Sequence, residues 1–239
     1  MATIWMPLPD RDFDVTEVAV PWKLFTRAGH RVVFTTERGD APPAADPLLL
    51  TGVLFGQLGA EPEPIAFYRE LEQAPEFRQP RAWGDANVAE FDAMVLAGGH
   101  APGMRQYLGS AELQQKVRDF VALDRPWGAI CHGPVLAARA GVLQGRKTTC
   151  LPAYMERTAY WLTAWKLGRY YRTYPLYVQA EVRAALGETG AFVRGPWNLT
   201  TRGTDGDDRA AFVLQDGKYV SARWPGDAYL FAKRLMELL

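Results

Sequence analysis

The chain holds 239 residues, 48% of them hydrophobic and 23% charged, with 27 basic against 27 acidic side chains. That composition excludes a disordered chain, a collagen and a disulfide scaffold, and a net charge of zero argues against a nucleic-acid partner, which needs a basic excess to neutralise phosphates. No run of about 18 apolar residues predicts a membrane span, no charged and apolar leader opens the chain, and two thiols, Cys131 and Cys150, suit a reducing compartment, so a cytoplasmic protein is expected.

Residues 3–8 form an apolar run fit for a buried first strand. Residues 15–28 have helical spacing, with Val18, Leu24 and Phe25 on one side and Gly29 as the stop. Residues 31–36 read as the next strand, which makes a strand–helix–strand unit. The texture then changes: seven of the 17 prolines fall between Pro42 and Pro80. We read residues 41–84 as a small cap inserted into a single domain that spans 1–239, with one short helix at 65–73; the alternative is a long surface loop.

The alternation resumes with a strand at 92–97, a helix at 111–123, a strand at 126–131 and a helix at 134–140 opened by Pro134. A short strand is predicted at 147–151, helical pieces at 155–166 and 174–186, and strands at 191–194, 199–202, 210–214 and 218–222, the last two turning at Asp216-Gly217. Residues 227–239 close the chain as a helix. Strands alternating with helices predict a doubly wound α/β sandwich with a mostly parallel sheet.

The sharpest motif is Gly128-Ala-Ile-Cys-His-Gly-Pro-Val135, where a buried strand meets a helix. Small residues at Ala129 and Gly133, two places either side of Cys131, are what a nucleophile elbow requires, because its tight turn leaves no room for larger neighbours. The helix N-terminus and the adjacent imidazole of His132 predict a depressed thiol pKa. The alternative is a Cys131 that is merely a small buried hydrophobe.

His100 lies in Ala97-Gly98-Gly99-His100-Ala101-Pro102-Gly103, a loop that follows a strand and should open on the same crevice. Its glycines let backbone N–H groups approach a developing oxyanion, so the N–H groups of Gly99 and His132 are the expected donors. Glu17, in the first turns of the helix after the first strand, belongs at the same sheet edge, although a lone helical Glu is usually solvated. His30 reads as a surface residue.

Glu17 four residues before Pro21, the Ala-Gly-Gly-His-Ala-Pro-Gly loop and Ala-Ile-Cys-His-Gly-Pro together resemble the ThiJ/PfpI superfamily, the class I glutamine amidotransferase-like group. The resemblance implies a flavodoxin-like fold and a glutamate that hydrogen-bonds the nucleophilic thiol, giving Cys131, His132 and Glu17 as the catalytic set. The length, the insert and the tail resemble the larger branch, which contains heat-shock chaperones with glutathione-independent glyoxalase (glyoxalase III) activity.

That branch often completes a Cys-His-Asp triad, but no Asp occurs between Asp124 and Asp205 here. Glu156 is the nearest acid and, with His100, an accessory candidate; the alternative for Glu156 is a helix-capping or salt-bridge role. With three histidines in all, no histidine-built metal site is expected, and Asp205-Gly-Asp-Asp208 has turn spacing rather than that of a calcium loop. No cofactor is expected, because the thiol supplies the covalent handle.

Residues 154–177 interleave eight Tyr and Trp residues with four basic ones. They read as a dimer interface, a crevice wall or a packed helix pair, and a homodimer is expected. The expected activity is conversion of a small carbonyl such as methylglyoxal to lactate. The rivals are a cysteine amidase or peptidase and a non-enzymatic, redox-sensing stress chaperone. A glutamine amidotransferase proper is disfavoured, since no histidine follows His132.

Overall fold

The structure is a computed structural model and describes residues 1–172 and 174–239. Strand β1 (Thr3–Pro7) leads through the short β2 (Arg11–Phe13) into helix α1 (Val15–Arg27), and β3 (Arg31–Thr36) returns beside β1. The proline-rich stretch holds β4 (Ala44–Ala45), α2 (Pro47–Thr51), α3 (Pro62–Leu71), α4 (Pro75–Arg78) and β5 (Arg81–Ala82). Next come β6 (Ala93–Leu96), α5 (Met104–Gly109), α6 (Ala111–Ala122), β7 (Trp127–Ile130) and α7 (Gly133–Arg139). The final third contains β8 (Lys147–Thr148), α8 (Ala153–Leu167), α9 (Val178–Ala185), β9 (Ala191–Phe192), β10 (Val213–Asp216), β11 (Tyr219–Ala222) and α10 (Ala228–Met236).

Seven strands form one sheet in the order β10-β11-β7-β6-β1-β3-β5. Every neighbouring pair is parallel except the β10–β11 hairpin. This is the doubly wound, mostly parallel α/β architecture expected. Parallel sheets need cover on both faces, and the burial pattern obeys: β6, β7 and β11 are buried at every position. One group of helices, α1, α3 and α10, packs together; α5, α6 and α9 gather around α7. Gly128 in β7 makes one of these contacts feasible, because a Cβ there would sit 2.6 Å from the Phe231 ring of α10.

The chain order of β1, β6 and β7 matters most for the site. The chain leaves β1 for β3 on one side, then crosses back to build β6 and β7 on the other. Loops at such a reversal open a crevice beyond the carboxyl ends of the strands. The N-terminus of α1, the loop after β6 and the turn after β7 all lie there.

Some predicted elements differ from the structure. Residues 199–202 are not a strand. The Asn198 side chain accepts from the N–H groups of Thr200 and Thr201 and donates to the carbonyls of Thr201 and Ala210, so a local turn takes the bonds that a ladder would need. The strand at 147–151 shortens to β8, which pairs with β9 outside the main sheet. Helix α5 and strand β2 were not foreseen, being short and lacking a clear period. In the proline-rich stretch, α3 lies on α1, and Phe67, Tyr68, Leu71 and Phe77 enter the main core.

The step from β11 to α10 is fixed by a buried ion pair. Arg223 and Asp227 are both fully buried; Nε and Nη2 donate to the two carboxylate oxygens at 2.9 Å each, and Asp227 also accepts the N–H of Phe212. Removing one partner of such a pair costs about 3–5 kcal/mol, because the other charge stays buried. Urea denaturation of Asp227→Ala should show a loss of that size. A loss under about 1 kcal/mol would mean that water reaches Arg223.

Candidate active site

Cys131 occupies the turn between β7 and α7 with φ of +59°, a conformation that costs a non-glycine residue of order 1–2 kcal/mol. The surroundings enforce it. The Cys131 N–H donates to the Ala222 carbonyl at 3.1 Å, and its own carbonyl accepts from Leu151 N–H at 3.2 Å. Gly133 explains the small-residue requirement: a Cβ there would lie 2.0 Å from the Leu96 carbonyl oxygen. The elbow expected from the motif is therefore built.

Glu17 reaches the same point from α1. Asp14 caps this helix, its Oδ1 accepting from the N–H groups of Thr16 and Glu17 at 2.8 and 3.1 Å. The Asp14 N–H donates to the Gly98 carbonyl at 2.9 Å, and Gly98 N–H donates back to Glu17 Oε2 at 2.8 Å. The α1 terminus and the glycine loop are thus tied twice. The Glu17 carboxyl is completely buried and lies against the Cys131 thiol. Its other oxygen, Oε1, has no hydrogen-bond partner among the described residues.

Gly98 is the glycine that this contact demands. A Cβ there would lie 2.5 Å from His132 N, 2.8 Å from Glu17 Oε2 and 3.0 Å from Cys131 Cβ. Gly99 sits one step further out, where a Cβ would meet the Asp12 carbonyl oxygen at 2.6 Å. The structure brings the glycine loop to the elbow, with the Gly98 N–H already committed to Glu17.

The depressed thiol pKa expected from the sequence is corrected by the structure. Burial pushes the Cys131 thiol well above its ordinary value, and the carboxyls of Glu17 and Asp14 push it the same way. Burial likewise drives Glu17 well up, helped by Asp14, whose own carboxyl burial lifts to about 6. The helix N-terminus does not offset the loss of solvent around a side chain this deep. Nor is the neighbouring imidazole a cation: burial holds His132 well below its usual range and His100 at about 4. Burial thus pushes Glu17, Cys131, His100 and His132 each towards its uncharged form.

His132 is buried, and its Nδ1 stands 3.4 Å from Cys131 Sγ, although the two residues are adjacent in sequence. His100 packs edge-on against it with ring centroids 4.5 Å apart. One ligand-type atom from each of His100, Cys131 and His132 lies within 4.8 Å of the others. The sequence predicted no histidine-built metal site, but a soft divalent ion would find two neutral imidazoles and a thiol grouped here.

Glu156 is placed elsewhere. Its Oε2 accepts from Val178 N–H at 2.9 Å at the start of α9, and its Oε1 lies 3.7 Å from Arg172. The carboxylate holds a helix start and a cation; the structure gives it no bond to His132.

A cavity of about 370 Å³ opens beside the cluster, with His100, Leu151, Met155, Ala159 and Tyr171 among its walls. Part of the aromatic segment is therefore a crevice wall, while Trp161 and Trp165 remain exposed. Sequence reasoning missed Leu151, Met155 and Ala159 as site residues, and α8 carries no strong apolar stripe that would have marked them. Among the described residues no helix is long and apolar enough to cross a membrane.

Residues 8–196 match the family described as ThiJ/PfpI family-like. The chain is 29% identical to an uncharacterized protein of Schizosaccharomyces pombe, over 97% of this chain and 82% of that one. It is 28% identical to a Pyrococcus abyssi protein named a deglycase, over 66% and 68%. Among solved structures, glyoxalase III from Candida albicans superposes with a TM-score of 0.67 at 15% identity, covering 100% of this chain and 97% of that one.

Glu156 offers a pH test. Burial lifts its carboxyl from 4.5 to about 7, against the opposing Val178 N–H and Arg172. A group whose folded pKa is raised favours the folded state below its unfolded pKa, and that advantage is lost as pH rises through the folded value. Relative to Glu156→Gln, the wild type should lose up to about 3 kcal/mol of stability between pH 4.5 and 7.5. Urea midpoints of both proteins across that range check this, and a constant difference would contradict it.

Proposed function

The chain belongs to the ThiJ/PfpI family, and from that premise we propose that it is a cysteine-dependent enzyme converting 2-oxoaldehydes such as methylglyoxal to 2-hydroxy acids without glutathione. The observation that carries this reading is the buried contact of the Glu17 carboxyl and the Cys131 thiol, with Glu17 Oε2 held by Gly98 N–H at 2.8 Å. The Pyrococcus abyssi relative named a deglycase supports action on a carbonyl-derived substrate.

The site's protons suit this chemistry. Cys131 Sγ adds to the aldehyde carbon while its proton passes to the neutral His132 Nδ1, 3.4 Å away. Glu17, protonated at rest, gives its proton to the new alkoxide, which yields a hemithioacetal. The Glu17 carboxylate is now a strong base for its class, because burial has raised its pKa. It removes the proton from the carbon bonded to sulfur, and the His132 imidazolium protonates the adjacent oxygen to give an enediol. Glu17 delivers its proton to the former ketone carbon and takes the remaining hydroxyl proton, leaving a 2-hydroxyacyl thioester. Water hydrolyses the thioester and restores the thiol. The net change is addition of one water, with one carbon oxidised and its neighbour reduced, so no external redox partner is needed. The N–H groups of Gly99 and His132 are our candidates for stabilising the oxyanion during addition and hydrolysis.

A second reading is a stress-protein role, favoured by the exposed Phe55, Trp161 and Trp165, of which Phe55 and Trp165 stack. The two readings separate in one experiment. Loss of methylglyoxal without glutathione should be abolished in Cys131→Ser and fall roughly 10²–10⁴-fold in Glu17→Gln, the span of a proton-transfer group. Wild-type protein that leaves methylglyoxal untouched while suppressing aggregation, with Cys131→Ser equally effective, would replace the enzymatic reading with the second one.

A further inference from the structure

The geometry points to a substrate with an apolar chain: this enzyme acts on 2-oxoaldehydes whose alkyl or aryl substituent fills the cavity between α8 and the segment after α2. The inference rests on the 2-oxoaldehyde reading above and names the substrate class within it. Methylglyoxal has five heavy atoms. At roughly 30 Å³ for each small group, a cavity of about 370 Å³ has room for about twice that number. A site built for methylglyoxal alone would leave most of this space empty.

The cavity reaches the neighbours of the reactive thiol. Two of its wall residues flank Cys131: Leu151 donates its N–H to the Cys131 carbonyl, and a ring nitrogen of His100 lies within 4.8 Å of the sulfur. Beyond these the walls become apolar. Leu49 and Val53 contribute from α2 and the turn after it, and Met155, Ala159 and Leu162 from one side of α8. That side of α8 is unusual. The helix buries only Met155, Glu156 and Thr163 among its 15 residues; Met155, Ala159 and Leu162 line the cavity, whereas Trp161 and Trp165 point to solvent. Of the polar wall residues, Asp14 and Thr16 lie beside Glu17 in the chain, and Arg202, Thr158, Thr163 and Thr200 also contribute. Most of the wall is apolar. A hydrocarbon tail matches it.

Burying one methylene in such a wall favours binding by about three- to fourfold. We expect kcat/KM to rise by about that factor for each carbon added from methylglyoxal to hexylglyoxal, or roughly 10²–10³-fold over the series. Ala159→Trp puts an indole into the cavity, and the ratio of hexylglyoxal to methylglyoxal should collapse towards one, whatever the variant's absolute rate. A flat or falling series with active wild-type protein overturns the inference and leaves the 2-oxoaldehyde reading standing. If no 2-oxoaldehyde is turned over, that earlier reading fails, and calorimetry with unreactive methyl ketones decides the cavity separately. In that case 2-octanone should bind about 10²-fold more tightly than 2-butanone, with the difference lost in Ala159→Trp. Equal affinity of the two ketones overturns the inference.

Discussion

The site depends on two acids that share one dry space. The Glu17 carboxyl and the Cys131 thiol meet where neither is solvated, and burial drives both towards their protonated forms. Two negative charges in contact there would repel strongly with no water to screen them. Much of the local architecture exists to hold this contact. Asp14 caps α1 and fixes the turn that carries Glu17; Gly98 leaves the space and supplies an N–H that steadies the carboxyl; Gly133 lets α7 start against Leu96. Strand order does the rest, because β1, β6 and β7 are neighbours and end at the same edge. The left-handed conformation of Cys131 is the local strain, sustained by bonds from both sides of its peptide.

The fold was legible in the sequence because its strands are short buried runs separated by clean helical periods. Helices α1 and α6 carry both an apolar face and a side-chain cap, Asp14 and Ser110, and such segments announce their type. The elements that escaped are those whose form depends on tertiary partners. Helix α5 is only six residues long, and β8 finds β9 rather than the main sheet. The site was legible as a set of positions, since small residues around Cys131 and paired glycines after β6 have few other uses. Its electrostatics were not. A helix N-terminus and an adjacent histidine are visible in the sequence and argue for a thiolate, but the depth of burial is set by packing from α1, β11 and the loop after β8, and that depth reverses the sign. Glu156 shows a related limit: proximity in the chain made it a candidate for His132, whereas the fold turns it towards Val178 and Arg172.

The dry cluster also constrains what can enter. Burial pushes His100, His132 and Glu17 towards their uncharged forms, and the cavity beyond them is mostly hydrocarbon. A substrate carrying a net charge at its reacting end would bring that charge into a mostly apolar space, which is costly. A carbonyl with an apolar tail brings none. Charge develops only when sulfur adds to carbon, and at that moment the carboxyl proton and the imidazole are both in reach. Burial pushes the Cys131 thiol towards its protonated form, so the proposed reaction calls for a substrate that can be activated inside the site. In the proposed reaction, addition is coupled to proton transfer, and that coupling gives the Glu17 carboxyl a part beside the cysteine.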